Sequence, residues 1–224
     1  MDQITPGPLE RKNLNQQVYD QLERQIISGN LSPGSRLAEC EVAAVFGVSR
    51  SPVREAILEL ERVGFATRVG PRARIVSKPT EKKIRDFFET WWILDVGRTY
   101  QSSLMAKKSD HLRLLEVIGE LENAVDAKDE HRISQLNEEF HGILYGPAEN
   151  RLLDRIAVEN RKYLEWLTHL YMDNVDDSPI WRQEHRRIVA AFIDRDLPSL
   201  VDTLRSHILR QGEQIIQGLK VAEL

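Results

Sequence analysis

Hydrophobic positions recur with helical spacing in the first part of the chain. Four apolar residues, each four positions after the last, predict a helix that ends at Gly29; they are Leu14, Val18, Leu22 and Ile26. The segment SPGS then predicts a turn, and AECEVAAVFGV predicts a second, short helix that ends at Gly47. The residues expected to face inward from this second helix are Val42, Ala43, Val45 and Phe46.

The next segment, VSRSPVREAILELERVGF, predicts a third helix. Ser49 and Ser51 are candidate N-caps, Pro52 suits the first turn, and Glu55 is placed to complete a capping box. Its expected inward face consists of Val53, Ile57, Leu60 and Val63. The segment FATRVGPRARIVS that follows predicts a β-hairpin with arginines at its tip.

This order of elements is that of a winged helix-turn-helix domain. In such a domain the second helix of the helix-turn-helix pair enters the DNA major groove and directs its N-terminal residues toward base edges. Arg50 and Arg54 lie one turn apart at that end, and a guanidinium can bind a guanine edge or a phosphate. The alternative is a surface helix whose arginines pair with nearby glutamates.

A polar segment with a proline, SKPTEKK at 77–83, predicts a domain boundary, with one domain at 1–78 and a second at 79–224. The apolar spacing of the second part is helical throughout. The predicted helices cover about 80–106, 110–127, 130–146, 149–172, 180–194 and 197–219. Short connections favour an antiparallel bundle. The predicted fold class is therefore mainly α: an N-terminal winged helix-turn-helix with a small β-hairpin wing, followed by a six-helix antiparallel bundle.

The charge distribution supports this division. The chain has 224 residues and a formal net charge of −4. Residues 1–78 carry 11 Lys/Arg and 9 Asp/Glu, whereas the rest carry 20 and 26. A mildly basic part joined to an acidic part is typical of a nucleic-acid module attached to a domain with another task.

The remaining composition concerns the cellular compartment. The single cysteine, Cys40, cannot form an internal disulfide, which favours a reducing cytoplasm. No apolar run has the length of a membrane span, and the N-terminal residues lack the apolar core of a signal peptide. We therefore expect a cytoplasmic protein without a membrane partner.

Three histidines of the second part are candidate metal ligands. His141, His185 and His207 each lie beside the apolar stripe of a different predicted helix, and Asn137 lies one turn before His141. Imidazoles that converge inside a bundle can bind a transition metal and leave coordination positions open. The alternative is that each histidine is a core-edge residue hydrogen-bonded to a neighbour.

A metal site would also admit two other functions. A hydrolase could use a zinc-activated water with Glu138, Glu139 or Glu184 as general base. The sequence has no HExxH motif, nucleophile elbow or phosphate-binding glycine loop, so we expect that the protein is not an enzyme. A metal-sensing regulator, in which the ion is the signal, is the third possibility.

The segment that includes GVSRSPVREAILELERVGF resembles the N-terminal domain of GntR-type bacterial transcription regulators over about 65 residues. The resemblance implies that Arg36 contacts the DNA backbone, that Arg50 and Arg54 read bases or flanking phosphates, and that Ser49 and Ser51 support them. It also implies that the wing at 70–74, with Arg72 and Arg74, touches the minor groove. The fatty-acid-responsive relatives carry arginine at the position of Cys40, so that contact is missing here. The wing tip of relatives usually has glycine at the position of Ala73, so the close approach of the wing to DNA differs here.

The second part is similar to the FCD ligand-binding domain of the FadR subgroup, on the segments FHGILYGPAEN, EHRRIVAAFIDRD and RSHI. The resemblance implies a divalent metal, Zn or Ni rather than Mg, bound by one Asp and three His. The histidines correspond to His141, His185 and His207, and the Asp position holds Asn137. A carboxamide is a weaker, uncharged donor, so either metal affinity falls or the histidines bind the ligand without a metal.

The resemblance also bears on the effector. Many relatives have an arginine on the first helix of this domain that binds a substrate carboxylate, and that position is Trp91 here. Arg98 and Arg161 are other candidate cations. Trp91 and Trp92 either line a pocket for a more apolar effector or pack in the core and in a subunit interface. The expected function is a homodimeric repressor, released from a pseudo-palindromic operator by a small metabolite, such as an organic acid, bound in the bundle.

Overall fold

The computed structural model describes residues 14–71, 73–146, 150–172 and 179–222. The elements of the first third are α1 (Leu14–Ile27), α2 (Glu39–Phe46), α3 (Arg50–Arg62), β1 (Ala66–Arg68) and β2 (Arg74–Val76). The later helices are α4 (Glu81–Met105), α5 (Lys108–Asp126), α6 (Glu130–Tyr145), α7 (Arg151–Tyr171), α8 (Pro179–Asp194) and α9 (Leu197–Ala222). The predicted fold class is confirmed, and the helix ends agree with the sequence pattern to within a few residues. In the described parts, no helix combines the length and apolar character that a bilayer span requires.

The described residues form two compact units. The first unit contains the described residues up to Pro79 together with Arg161–Leu170, which is the second half of α7. The second unit contains Thr80–Asn160 and the described part of Tyr171–Leu224.

The helix-turn-helix of the first unit depends on a glycine turn. Gly47 has a φ of 64°, in the left-handed region, and its backbone N–H closes the end of α2. The short turn that follows lets α3 begin at Arg50. The core of the unit comes from one apolar stripe on each helix and from the hairpin, and its members include Val18, Leu22, Ile26, Val53, Ile57, Leu60 and Val76.

One inward position was predicted wrongly. Val45 is 82% exposed, and Ala43 is the only buried residue of α2. A helix of eight residues covers the core with one narrow face, so an apolar run around the helix cannot all be buried.

The wing is a two-stranded antiparallel hairpin. Thr67 lies opposite Ile75, and Arg68 lies opposite Arg74. Arg36 forms an isolated bridge to Ile75, so the turn before α2 is tied to the edge of the wing. This pairing fixes the wing to the body of the unit.

The second half of α7 completes the core of the first unit. Trp166 is fully buried, and its ring meets the ring of Phe65 edge-on with centroids 5.4 Å apart. Lys162 Nζ lies 2.6 Å from Oε2 of the buried Glu23, which also accepts a hydrogen bond from the Tyr19 hydroxyl. A segment far along the chain therefore supplies both apolar area and a charge partner to this unit.

In the second unit α4 packs antiparallel against α9. Arg85, early in α4, pairs with Glu213, late in α9. Gly212 of α9 permits this close approach, because a Cβ at that position would lie 2.8 Å from the Phe88 ring. Helices α5, α6 and α8 complete the core, and its fully buried members include Leu114, Leu121, Leu136, Phe140, Phe192 and Leu200.

We predict that Trp166→Ala lowers the free energy of unfolding by about 3–5 kcal/mol, because it removes a large buried aromatic and leaves a cavity beside Phe65. Urea denaturation of the full chain, followed by circular dichroism, measures this loss. Val158→Ala on the same helix is the control: Val158 is 56% exposed, and its truncation should change the value by less than about 0.5 kcal/mol. Equal effects of the two substitutions would contradict the assignment of Trp166 to a core.

Candidate nucleic-acid interface and ligand site

The N-terminal end of α3 presents an exposed polar surface. Ser49 occupies the N-cap position in an extended conformation, but its side chain makes no capping hydrogen bond. Ser49, Arg50, Ser51 and Arg54 are all exposed. Arg50 lies 3.4 Å from a Glu39 carboxylate oxygen, yet its side chain stays 70% exposed. The first N–H groups of a helix have no intrahelical acceptor, so this end attracts anions.

The predicted capping box does not form. Glu55 instead accepts a hydrogen bond of 2.8 Å from the Asn15 side chain. This contact links the start of α1 to α3. The helix start therefore keeps its N–H groups available to an outside partner.

The wing arginines differ in their surroundings. Arg74 donates to the Glu61 carboxylate at 2.6 Å, and its side chain is only 13% exposed. Arg36 is exposed, and Arg72 lies outside the described residues. Arg68, which sequence analysis did not single out, donates to the backbone carbonyls of Gly70 and Pro71 at 3.0 and 3.1 Å. Arg68 thus holds the turn of the hairpin. In the sequence, its position directly before that turn was the one feature that could have indicated this.

A network of buried and half-buried polar side chains lies inside the second unit. We call it the polar core, and its members are Asp95, Arg98, Tyr145, Glu184, His185, His207 and Arg210. They come from α4, α6, α8 and α9 and form two groups, one around Asp95 and one around Glu184. The charge of His207 in the second group acts on Asp95 in the first. Asp95, Tyr145 and Arg210 were not among the site residues predicted from the sequence. The one signal available was Asp95 itself, an acidic residue within a largely aromatic and apolar stretch of α4.

Two of the predicted metal ligands meet in this network. The rings of His185 and His207 lie 4.7 Å apart, nearly perpendicular. His185 Nδ1 donates to the Trp181 backbone carbonyl at 2.9 Å, and His207 Nδ1 donates to the Glu184 carboxylate at 2.8 Å. A carbonyl and a carboxylate only accept hydrogen bonds, so the neutral form of each ring carries its lone pair on Nε2.

The other two predicted ligands lie on α6. His141 is half-buried and stacks on the Tyr145 ring, with centroids 5.6 Å apart. Asn137, also half-buried, precedes it by one turn. Across residues 14–222, apart from the gaps named above, no three His, Cys, Asp or Glu side chains are arranged to hold a metal ion.

Electrostatics keep His185 neutral and Glu184 ionised. Burial, together with the nearby His207, lowers the pKa of His185 to about 3. Burial alone would raise the pKa of Glu184, but hydrogen bonds from His207 and Arg210 outweigh it and lower the pKa to about 2. Near pH 7, therefore, the His185 imidazole is neutral, and the neighbouring Glu184 carboxylate is ionised and hydrogen-bonded to His207 and Arg210.

Asp95 is the buried acid of the polar core. Burial raises the pKa of its carboxyl to about 6, although a hydrogen bond from Tyr145 and the charge of Arg98 act in the opposite direction. The Tyr145 hydroxyl donates to Asp95 at 2.8 Å. The Arg98 guanidinium lies over the Tyr145 ring, 4.2 Å from its centre, and donates to Asp154 at 2.8 Å.

The candidate effector residues are divided between the two units. Trp91 and Arg98 line a small cleft between α4 and the first half of α7, with Leu153 and Ile156 among its apolar walls. The cleft has a volume of about 10 Å³, which is room for a single water molecule. Trp92 packs against the apolar core. Arg161 is exposed and belongs to the first unit.

We predict a pH dependence of folding that comes from His185. Its folded pKa is about 3 and its ordinary value is 6.5, so only the unfolded chain takes up this proton between those values. The contribution of His185 to the free energy of unfolding is therefore fully present above pH 6.5. It falls as the pH decreases, by up to about 1.4 kcal/mol per pH unit. Asp95 has the opposite effect, because its raised pKa lets the folded state bind a proton first.

The measurement is therefore the difference in free energy of unfolding between wild type and His185→Gln, followed from pH 7.5 to 4.5. We expect the advantage of the wild type to shrink steadily below pH 6.5. His131→Gln removes an exposed histidine that is hydrogen-bonded to its helix neighbour Gln135, and its curve should run parallel to that of the wild type. A pH-independent difference for His185→Gln would refute the assignment.

Comparisons with known proteins place the chain in a family. The model of bacterial regulatory proteins of the gntR family matches residues 14–76, and the FCD domain model matches residues 99–210. The HTH-type transcriptional repressor RspR of Escherichia coli K12 is 24% identical over 204 residues, which cover 91% of this chain and 90% of that protein. YdfH of Escherichia coli O6:H1, an uncharacterised HTH-type transcriptional regulator, is 24% identical over 215 residues, which cover 96% and 92%.

The solved structure of Escherichia coli McbR/YncC has the same fold, with a TM-score of 0.67 and 20% identity over 92% of this chain and 99% of that one. The helix-turn-helix, the exposed cationic end of α3 and the helical second unit are the features expected of a DNA-binding regulator, and the relatives are regulators rather than hydrolases. The chain therefore belongs to the GntR family of bacterial transcription regulators, carries an FCD domain and is not an enzyme.

Proposed function

We propose that the protein is a ligand-responsive repressor of the FadR subgroup. Residues 1–78 form its DNA-binding domain, and residues 79–224 form a domain for effector binding and dimerisation. Two copies place two α3 helices on a pseudo-palindromic operator in the cytoplasm, and a small metabolite bound in the helical domain releases them.

The observation that carries the DNA-binding proposal is the distribution of arginines on α3. At its far end Arg62 is paired with Glu59 at 2.7 Å. At its N-terminal end Arg50 and Arg54 are exposed beside unfilled backbone donors. We assign Arg50 and Arg54 to base edges or flanking phosphates, with Ser49 and Ser51 donating to phosphates.

The remaining contacts come from outside α3. We assign Arg36, which is exposed, to the DNA backbone and Arg72 to the minor groove. Arg74 is half-buried and paired with Glu61, so its proposed task is to hold the wing in place for those contacts, rather than to bind DNA directly.

For the effector we propose Arg98 as the cation that binds a carboxylate. It is the arginine that lines the α4 cleft beside Trp91, whereas Arg161 belongs to the other unit. A ligand larger than the cleft requires the Arg98–Asp154 pair to open. Differential affinity for two domain arrangements, on the order of 1–3 kcal/mol, suffices to weaken DNA binding.

We further propose that a divalent metal, Zn or Ni, binds at His185 and His207, with His141 and Asn137 of α6 completing its ligands. The two rings fit this role because each has its Nδ1 held by an acceptor, as metal-binding histidines commonly do. A bound metal would supply positive charge for an anionic effector. The neutral state of His185 keeps its ring able to donate electrons at any physiological pH.

We predict that Arg50→Ala or Arg54→Ala weakens binding to the operator by about 1–3 kcal/mol per half-site, because each substitution removes a base or phosphate contact. Electrophoretic mobility shift on the upstream DNA of its own gene measures the loss. A lost phosphate contact also flattens the plot of log affinity against log salt by about 0.9.

Arg62→Ala is the matched control for these variants. It removes an arginine from the same helix, but at the end paired with Glu59, and it should leave operator affinity unchanged. If Arg50→Ala and Arg54→Ala both bind the operator as tightly as wild type, the DNA-binding assignment of α3 is wrong.

For the metal we predict that protein purified without an affinity tag and supplied with zinc holds about one ion per chain. His207→Ala should lower its affinity at least 100-fold, because it removes a ligand. Mass spectrometric metal analysis and competition with a chelator give both values. His131→Ala is the control, and equal metal content in the wild type and His207→Ala would rule out this site. Operator binding with and without chelator then shows whether the ion is the signal.

A further inference from the structure

The two exposed arginines at the start of α3 have different neighbours. Arg50 lies 3.4 Å from the Glu39 carboxylate, whereas Arg54 forms no ion pair with any described residue. Glu39 is the first residue of α2, so this ion pair joins the start of one helix of the helix-turn-helix to the start of the other. The protein therefore holds one of the two arginines and leaves the other to solvent.

The carboxylate of this pair is more enclosed than the arginine. The Glu39 side chain is 23% exposed, and the Arg50 side chain is 70% exposed. The N-cap residue of α2, Ala38, supplies no side-chain cap, and the unfilled N–H groups of a helix start favour a nearby negative charge. An ion pair with an exposed partner adds little to stability, so its main consequence is the direction in which the Arg50 guanidinium points.

That direction matters for reading a base. Arg50 donates to Glu39 from Nη2, which leaves Nε and Nη1 without an acceptor among the described residues. A guanine edge offers two acceptors, and the planar guanidinium can bind both at once. An arginine already held in one orientation loses less side-chain entropy when it makes that contact.

The same carboxylate is unfavourable next to DNA that lacks the matching base. The start of α3 is the end that enters the major groove, so Glu39, 3.4 Å from Arg50, is brought close to the phosphates as well. If Arg50 turns aside to bind a phosphate, Glu39 is left as an unpaired negative charge beside a polyanion. Such repulsion weakens binding to wrong partners more than to the correct one.

We propose that Glu39 is a positioning residue that directs Arg50 to a base edge and raises sequence specificity by penalising binding to non-specific DNA. This inference rests on the proposed function, because it assigns Arg50 to DNA. Glu39 itself makes no contact that the operator needs. It lowers the affinity for all DNA, and it lowers the affinity for non-specific DNA the most.

The test measures the affinity of the full chain for two duplexes of equal length and base composition. One is the operator from the upstream DNA of its own gene, and the other has the same bases in shuffled order. Glu39→Gln should bind the shuffled duplex severalfold more tightly, because a negative charge is lost. The ratio of the two affinities should fall about fivefold or more, which is the effect of losing one base contact.

Glu41→Gln is the matched control. Glu41 lies in the same first turn of α2, is exposed, and pairs with no described residue. Its substitution removes the same charge from the same helix without touching Arg50, so the affinity ratio should stay at the wild-type value.

Arg50→Ala provides a second readout that separates positioning from structure. In that background Glu39→Gln should leave the affinity ratio unchanged, because no guanidinium remains to be directed. Selection from a pool of random duplexes should show that Glu39→Gln alone loses the base preference at one position of each half-site and keeps the others. Lower affinity for both duplexes, together with a lower melting temperature, would show a structural role instead and contradict the proposal.

Two further results would overturn it: an unchanged affinity ratio for Glu39→Gln, or the same fall in the ratio with and without the Arg50 side chain. Failure of the proposed function is a separate outcome, since Arg50→Ala and Arg54→Ala would then bind the operator as tightly as wild type. Weaker operator binding by Arg50→Ala, with no effect of Glu39→Gln on the ratio, would keep the DNA-binding role and reject the role of Glu39.

Discussion

Pairing of buried polar groups is the constraint on which the helical unit depends. An ionised group inside a bundle is tolerated only when other groups replace the water that it loses. Glu184 meets this condition through His207 and Arg210, and Asp95 meets it through Tyr145. Because these partners come from α4, α6, α8 and α9, each pair also fixes the register of two helices, which apolar contacts alone specify less strictly.

In the first unit some arginines are paired with carboxylates and others stay accessible to solvent. Arginines that shape it are paired: Arg74 with Glu61 across the wing, and Arg62 with Glu59 on α3. At the opposite end of α3, Arg54 forms no ion pair with any described residue, and Arg50 keeps most of its surface in solvent. Cations left accessible next to unfilled helix N–H groups produce a local positive field, which explains how a chain of net charge −4 can bind a polyanion.

The sequence predicted the elements well because their signals are local. Apolar spacing, glycine turns and prolines placed all helices and the hairpin close to their observed bounds. Predictions failed where a tertiary partner competed with a local one. Glu55 bonds to Asn15 rather than to a helix cap. The inclusion of Arg161–Leu170 in the first unit had no signal at all, because contact between distant segments leaves no trace in periodicity.

The candidate ligand site was only partly predictable, for a related reason. Histidines stand out in a sequence, so the approach of His185 to His207 was expected. Asp95 does not stand out, because acidic residues are common on helix surfaces and only burial makes this one unusual.

Burial also changes what a polar residue on α4 indicates about its role. A stable bundle would place apolar side chains on the inner face of α4, and natural chains depart from that choice chiefly at functional sites. Where the departure is compensated inside the protein, as at Ser103, it indicates structure alone. Where two fully buried hydroxyls make no hydrogen bond to any described residue, as at Thr99 and Ser102, the described residues do not offset the free-energy cost of burying them.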